Sequence, residues 1–340
     1  MEFLIQDTIK LLTRMSSSQW NHIPDLGYAA RFPILTKEGL RKLQMKKGVY
    51  ISKTSGSTGE PVTIEKTYED LVWNKVTNIR DLLWKKWDFS KTLAVVSHNF
   101  EEGERDSWGI EKELIPTQGK AFIINNRPIS EIQKWLEEKN PHYIVAFPSI
   151  IEQLDLTKLS NFIDWKGTGE AGGQMYSSEE CGTIAIQCPD NPEVMHVMEN
   201  IIVEEYKGSL LITSLTNPYI KRYAIEDCAE LTTCTCGRKL QTITKVKGRI
   251  RNMFVLPNGD KKWPMFGSKE FDKFGIKRYK AIQTSLEDLE LQIIAPQLGE
   301  KEEELKQTVL KWLDSPINVS IKYVDSFSSY KFEEFISLVG

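Results

Sequence analysis

Apolar residues recur along the chain with two periods, and the alternation between them lays out the architecture. Between Tyr68 and Trp87 they fall at Leu71, Val72, Val76, Ile79, Leu82 and Leu83, the spacing of one helical face. Ahead of that helix, Tyr50-Ile51 leads into a Ser/Thr/Gly segment, TSGSTGEP, and Val62-Thr63-Ile64 leaves it with the alternation of a strand. Behind it, the β-rich runs LAVVSH, AFIIN and HYIVAFPS are interrupted by the helical ISEIQKWLEEK. Strands separated by helical segments predict an α/β region with a largely parallel sheet. The N-terminal MEFLIQDTIKLLTRM reads as an amphipathic helix.

From about residue 196 the pattern turns strand-rich, through HVMENIIVEEY, GSLLITSLT and ITKVKGRIRNMFVLPNGD. Asn258-Gly259 signals a hairpin, because both residue types tolerate positive φ. Beyond Trp263 the pattern gives a helix (SKEFDKFG), two strands (KRYKAIQTSL, DLELQIIAP), a charged amphipathic helix (KEEELKQTVLKWL) and a strand (NVSIKYV). The expected fold class is therefore α/β, with a large lobe over residues 1–250 and a small α+β lobe over 251–340. The boundary is placed near Arg249–Asn252.

In 340 residues, 44 Lys and Arg face 47 Asp and Glu. A net charge of -3 gives no general attraction for nucleic acid or an anionic membrane surface. No run approaches the roughly 18 consecutive apolar residues of a membrane span, and the N-terminal segment has the wrong make-up for a signal peptide. The five cysteines are an odd number, which argues for reduced thiols and a cytoplasmic location.

Two clusters carry chemistry. In Thr54-Ser55-Gly56-Ser57-Thr58-Gly59-Glu60-Pro61 the small residues let backbone N–H groups approach a polyphosphate, and the hydroxyls can take phosphate oxygens or hydrated Mg²⁺. No Gly-Lys-Ser/Thr follows, so it is not a kinase or GTPase phosphate loop; a plain Ser/Gly turn is the competing reading. Cys188, His196, Cys234 and Cys236 form the second cluster, in which Cys-Thr-Cys-Gly aims two thiols at one point and the whole makes a three-Cys, one-His set suited to structural zinc. A hydrogen-bonded His196 without metal is the alternative. Cys181 and Cys228 are left as buried thiols.

The phosphate-loop segment resembles the Ser-Gly-Thr-Thr-Gly-Lys-Pro signature of the adenylate-forming (AMP-binding) superfamily, and further segments match in order. Thr168-Gly169-Glu170 is similar to the Gly-Glu segment near the adenine, and Tyr176 to Gly182 (YSSEECG) to Tyr-Gly-Ser-Thr-Glu-Cys-Gly. PYIKRYAIED, ending at Asp227, resembles Arg-Tyr-Arg-Thr-Gly-Asp; Gly248-Arg249 resembles the start of the interlobe hinge. Near the C-terminus, Ser329-Tyr330-Lys331-Phe332 resembles the Gly-Lys-Phe segment. The likeness is to the phenylacetate-CoA ligase and capsule-biosynthesis-related branch.

That resemblance implies ATP and Mg²⁺ as nucleotide and ion, with Thr54, Ser55, Gly56, Ser57, Thr58, Gly59, Gly169, Glu170, Tyr176, Asp227 and Arg249 around ATP. Asp227 would hold the ribose hydroxyls, Thr58 and Glu180 would face Mg²⁺, and Lys331 would serve the bond forming at the α-phosphate, with Lys322 nearby as a competitor. It also implies a small carboxylic acid, aryl or short acyl, activated as acyl-AMP and passed to a thiol of CoA or of an acyl carrier protein's phosphopantetheine. An amide-forming ligase and a nucleotide-binding protein without catalysis are the alternatives. Three places depart from the pattern: Glu60 stands where Lys is usual, only Ala171 to Met175 separate Glu170 from Tyr176, and Arg251-Asn252 occupy the usual hinge Asp.

Overall fold

The computed structural model describes residues 6–11, 25–43, 50–53, 62–97, 100–109, 117–125, 127–167, 173–249, 253–259, 261–262, 271, 273–276, 278–313, 316–327 and 335–339. The chain divides into two compact units, Met1–Lys247 and Gly248–Gly340.

In the first unit the long amphipathic segment forms the helix Tyr68–Trp84. A capping box starts it: the Thr67 side chain accepts from the Asp70 N–H, and the Asp70 carboxylate accepts from the Thr67 N–H. The expected α/β region is a five-stranded sheet in the order Gly103–Arg105, Ala121–Ile124, Leu93–Val96, Tyr143–Ala146, Asp164–Gly167. Its last four strands are parallel, and Gly103–Arg105 closes one edge antiparallel. Ala121–Ile124 is buried along its whole length, as parallel strands covered on both faces are. The helix Ile129–Lys139 makes a crossover and ends at Asn140 in the left-handed conformation, φ 41°.

Two expectations needed adjustment here. HYIVAFPS is a strand only to Ala146, because Pro148 brings no N–H to a ladder and instead opens the short helix Pro148–Ile151. HVMENIIVEEY is two strands, Val194–Val197 and Ile201–Tyr206, separated at Met198–Asn200. These strands belong to two antiparallel sheets. One runs in the order Leu231–Thr232, Thr242–Thr244, Val194–Val197, Gly182–Gln187, Met175–Ser178; the other is Ile201–Tyr206, Ser209–Ser214, Tyr223–Ala224. Ile184, Met195, Val203, Ile212 and Ile243 make a common core beneath both.

Helix Tyr68–Trp84 is fastened to both halves of this unit by ion pairs with no apolar signature in the sequence. Arg80 and Glu199 form a bidentate pair at 2.6 and 2.8 Å, and Lys166 meets Asp81 at 2.8 Å, all four side chains being buried. Such pairs contribute little net stability, yet removing one partner strands a buried charge at a cost of about 3–5 kcal/mol.

The second unit is α+β. Its sheet runs Asn318–Tyr323, Asp288–Ile294, Arg278–Gln283, Phe335–Ser337, and the helix Lys301–Leu313 buries Leu305, Val309 and Leu313 in the same core as Leu289, Leu291 and Ile293. The hairpin at Asn258-Gly259 joins Phe254–Val255 to Lys261–Lys262. Gly259 takes φ +87° and donates to the Leu256 carbonyl at 2.8 Å, so of the two residues that tolerate positive φ, Gly259 adopts it and Asn258 does not.

Candidate functional site

Met175–Ser178 and Gly182–Gln187 are consecutive antiparallel strands, and the turn between them presents Glu179, Glu180 and Cys181. Gly182 at φ +74° leaves the turn, and the Cys181 N–H donates to Ser178 Oγ at 3.0 Å. The Glu180 carbonyl accepts from Lys66 Nζ at 3.0 Å. Its carboxylate, although the residue is only 9% exposed, accepts from the Tyr223 hydroxyl at 3.2 Å. Burial, reinforced by the Glu180 charge, pushes the Tyr223 phenol above its ordinary range, so it stays a donor.

Next to this pair, the Tyr176 hydroxyl donates to Asp227 Oδ2 at 2.7 Å. Asp227 begins a short strand just past the Tyr223–Ala224 strand. The segment approaching it is tightly bent: Arg222 has φ +46° and Glu226 φ +64°. Glu226 thus adopts a conformation suited to glycine at the position where the resembling motif has one. Burial, then the nearby Glu180 charge, raises the Cys181 thiol to about 12, and burial raises Cys228 to about 11. Both cysteines are buried and free, as expected.

Of the residues singled out in the sequence, Tyr176, Glu180 and Asp227 thus come together within the first unit. Arg249 lies in the second unit, on the strand Gly248–Arg249. Thr54, Ser55, Gly56, Ser57, Thr58, Gly59, Gly169, Glu170 and Lys331 lie outside the described residues. Tyr223 and Lys66 were not singled out. Tyr223 sits inside the recognised PYIKRYAIED segment, where the presence of a phenol was a usable signal; nothing local marks Lys66.

The second cluster assembles in the same antiparallel sheet. Cys188 follows the strand Gly182–Gln187; His196 lies on Val194–Val197, paired with Ile186 on one side and Thr242 on the other. Cys234 and Cys236 occupy the turn between Leu231–Thr232 and Thr242–Thr244, with Gly237 at φ +84°. The four ligand atoms lie within 4.8 Å of one another; Cys234 and Cys188 sulfurs are 3.7 Å apart, and Cys236 Sγ is 3.3 Å from His196 Nε2.

Tetrahedral Zn²⁺ with Zn–S bonds of about 2.3 Å holds its sulfurs about 3.8 Å apart. Three thiols and one imidazole at these separations therefore fit such an ion. Burial, aided by Arg238, lowers His196 to about 4, leaving the imidazole neutral and able to ligate. Against the opposing effect of burial, hydrogen bonds involving Arg238 hold the Cys236 thiol below its usual range. His196 also meets the Trp84 ring edge to face, centroids 5.6 Å apart.

No protein-family model matches the chain, and comparison with curated proteins gives no match. Solved structures do match in fold. A 2-hydroxyisobutyryl-CoA ligase, solved in the postadenylation state in complex with R3-HIB-AMP, aligns with a TM-score of 0.67 at 15% identity over 100% of this chain and 89% of its own. The acyl acid amido synthetase GH3.15 aligns at 0.57 and 12% identity, covering 95% of this chain and 88% of its own. ATP-bound MatB from Rhodopseudomonas palustris aligns at 0.53 and 12% over 82% of this chain and 64% of its own. The chain has the fold of adenylate-forming ligases, with the small C-terminal lobe of that fold.

Proposed function

We propose that the protein is an adenylate-forming ligase: it uses ATP to activate a carboxylic acid as acyl-AMP, with release of pyrophosphate. The observation that carries this reading is the Tyr176–Asp227 hydrogen bond, which joins two separate motif-like segments beside Glu180, in a fold shared with ligases that handle acyl-AMP.

In this reading the Asp227 carboxylate, oriented by Tyr176, accepts from the ribose hydroxyls, and each such charge-assisted bond is worth about 1.5–3 kcal/mol. Glu180 and the Thr58 hydroxyl would hold the Mg²⁺ that accompanies ATP, which neutralises phosphate charge. Tyr223 keeps the Glu180 carboxylate in place. By the resemblance, the hydroxyls and glycines from Thr54 to Gly59 would bind the phosphates, Gly169 and Glu170 would serve the adenine, and Arg249 would contact the nucleotide. Lys331 places an ammonium where negative charge develops as the acid attacks the α-phosphorus. Its replacement by Ala should abolish adenylation and spare transfer from preformed acyl-AMP.

The acceptor in this reading is a thiol of CoA or of carrier-protein phosphopantetheine, and the acid is aryl or short acyl. A second reading, amide formation, draws support from the fold likeness to the acyl acid amido synthetase. Zinc held by Cys188, His196, Cys234 and Cys236 would be structural, pinning the turn at residues 233–237 to the sheet that also carries Glu180.

Trapping the intermediate tests the proposal. Incubation with ATP, Mg²⁺, a panel of carboxylic acids and hydroxylamine should yield a hydroxamate and AMP from at least one acid. ATP binding without hydroxamate from any acid would favour a nucleotide-binding protein lacking catalysis. Thiol and amine acceptors then compete for the acid so identified.

A further inference from the structure

Three thiolates, a neutral imidazole and Zn²⁺ carry a net charge of −1, and a cation nearby favours the thiolate form of the ligands. Arg238 supplies one. A single terminal nitrogen of its guanidinium lies 2.5 Å from Asp190 Oδ2 and 4.0 Å from Cys188 Sγ. The guanidinium also sits 4.9 Å from the centre of the Trp84 ring, the same ring that His196 meets with its edge. Arg238 is thus fixed on one side by a carboxylate and on another by an aromatic face, which leaves an N–H turned toward the thiolates.

We propose that Arg238 is the charge-balancing and positioning residue of this metal centre, and that Asp190 and Trp84 hold it there. The proposal rests on the zinc reading of the four ligands given above. Arginine suits the place better than lysine. Its planar cation can stack on Trp84 while donating from one nitrogen in two directions, and an ammonium has no plane to stack. His196 Nδ1 is buried with no hydrogen-bond partner among the described residues, so among them the imidazole has no acceptor of the kind that usually orients a metal-bound histidine, and an outer contact to a ligand atom comes instead from Arg238 to Cys188 Sγ. No covalent chemistry is involved.

Zinc affinity of the full-length protein, measured by competition with a chromophoric chelator, tests the assignment, with Co²⁺ absorption reporting ligand geometry. Wild type should bind one Zn²⁺. Arg238→Gln should bind it about 10–100-fold more weakly, the range typical of lost outer partners of metal ligands, with unchanged tetrahedral Co²⁺ bands. Arg238→Lys should recover part of the loss. Asp190→Asn, at an exposed side chain, should weaken zinc in the same direction by a smaller factor. Wild type and both Arg238→Gln and Asp190→Asn binding zinc equally tightly would overturn the role of Arg238 and leave the metal centre standing. A wild-type protein that binds no zinc would overturn both.

Discussion

The Tyr176 hydroxyl and Asp227 Oδ2 meet at 2.7 Å across 51 residues of sequence. Tyr176 is almost wholly buried, so its ring is fixed and the hydroxyl orients the carboxylate before any ligand arrives. Tyr176→Phe removes one charge-assisted bond of about 1.5–3 kcal/mol and should weaken ATP binding about tenfold with the fold retained. Asp227→Ala should weaken it more. Calorimetric titration of both variants decides the matter, and unchanged affinity in the two would remove Asp227 from the site.

Glu226 is held at φ +64° with its side chain exposed. A left-handed conformation costs a non-glycine residue about 1–2 kcal/mol, whereas glycine gives back roughly 0.5–1 kcal/mol in lost conformational entropy. The strain is the larger effect. Glu226→Gly should therefore raise stability by about 0.5–1 kcal/mol in denaturant unfolding, and a fall would show that the Glu226 side chain makes compensating contacts.

Metal removal should be felt in the fold. The proposed ligands come from three neighbouring stretches of one sheet, so the energy of binding at a closed site becomes folding energy. Protein purified without chelator should contain one zinc per chain by elemental analysis, and stripping it should lower the melting temperature. Folded protein with neither metal nor a chelator effect would contradict the site.

Thiol chemistry separates the five cysteines. Cys181 at about 12 and Cys228 at about 11 are raised above the ordinary 9.0, so both are thiols at pH 8 and buried. Neither should react with iodoacetamide in the native protein, as read by peptide mass spectrometry. A raised folded-state value stabilises below the unfolded value and loses its effect as pH climbs through the folded one. Their contribution is therefore constant up to about pH 8.5 and declines between pH 9 and 12. Replacing both by Ala should flatten that part of the stability curve.

Much of the fold was legible because period and breakers carry it. The helix Tyr68–Trp84 follows from its apolar spacing, and Leu93–Val96, Ala121–Ile124 and Tyr143–Ala146 follow from short apolar runs around a helical one. That Cys188, His196, Cys234 and Cys236 would cluster was also readable, because Cys and His are few and their chemistry is narrow. Arg80, Glu199, Lys166 and Asp81 were not. Each looks like a surface charge in sequence, and only the packing of one helix against two sheets buries them together. Lys66 was invisible for a similar reason, since its contact with the Glu180 carbonyl depends on long-range pairing. At Asn258-Gly259 the composition pointed to the turn, but not to which of the two residues would take positive φ, which is Gly259.

The central claim is that a carboxylic acid attacks ATP at its α-phosphorus on this chain, and isotope exchange between labelled pyrophosphate and ATP tests it most directly, because it requires only the first half-reaction and no knowledge of the acceptor. The account predicts exchange that depends on one class of carboxylic acid, is absent without acid, and falls by at least about 10²-fold in Lys331→Ala. Folded protein that binds ATP yet exchanges no pyrophosphate with any acid across aryl and short acyl carboxylates would contradict it.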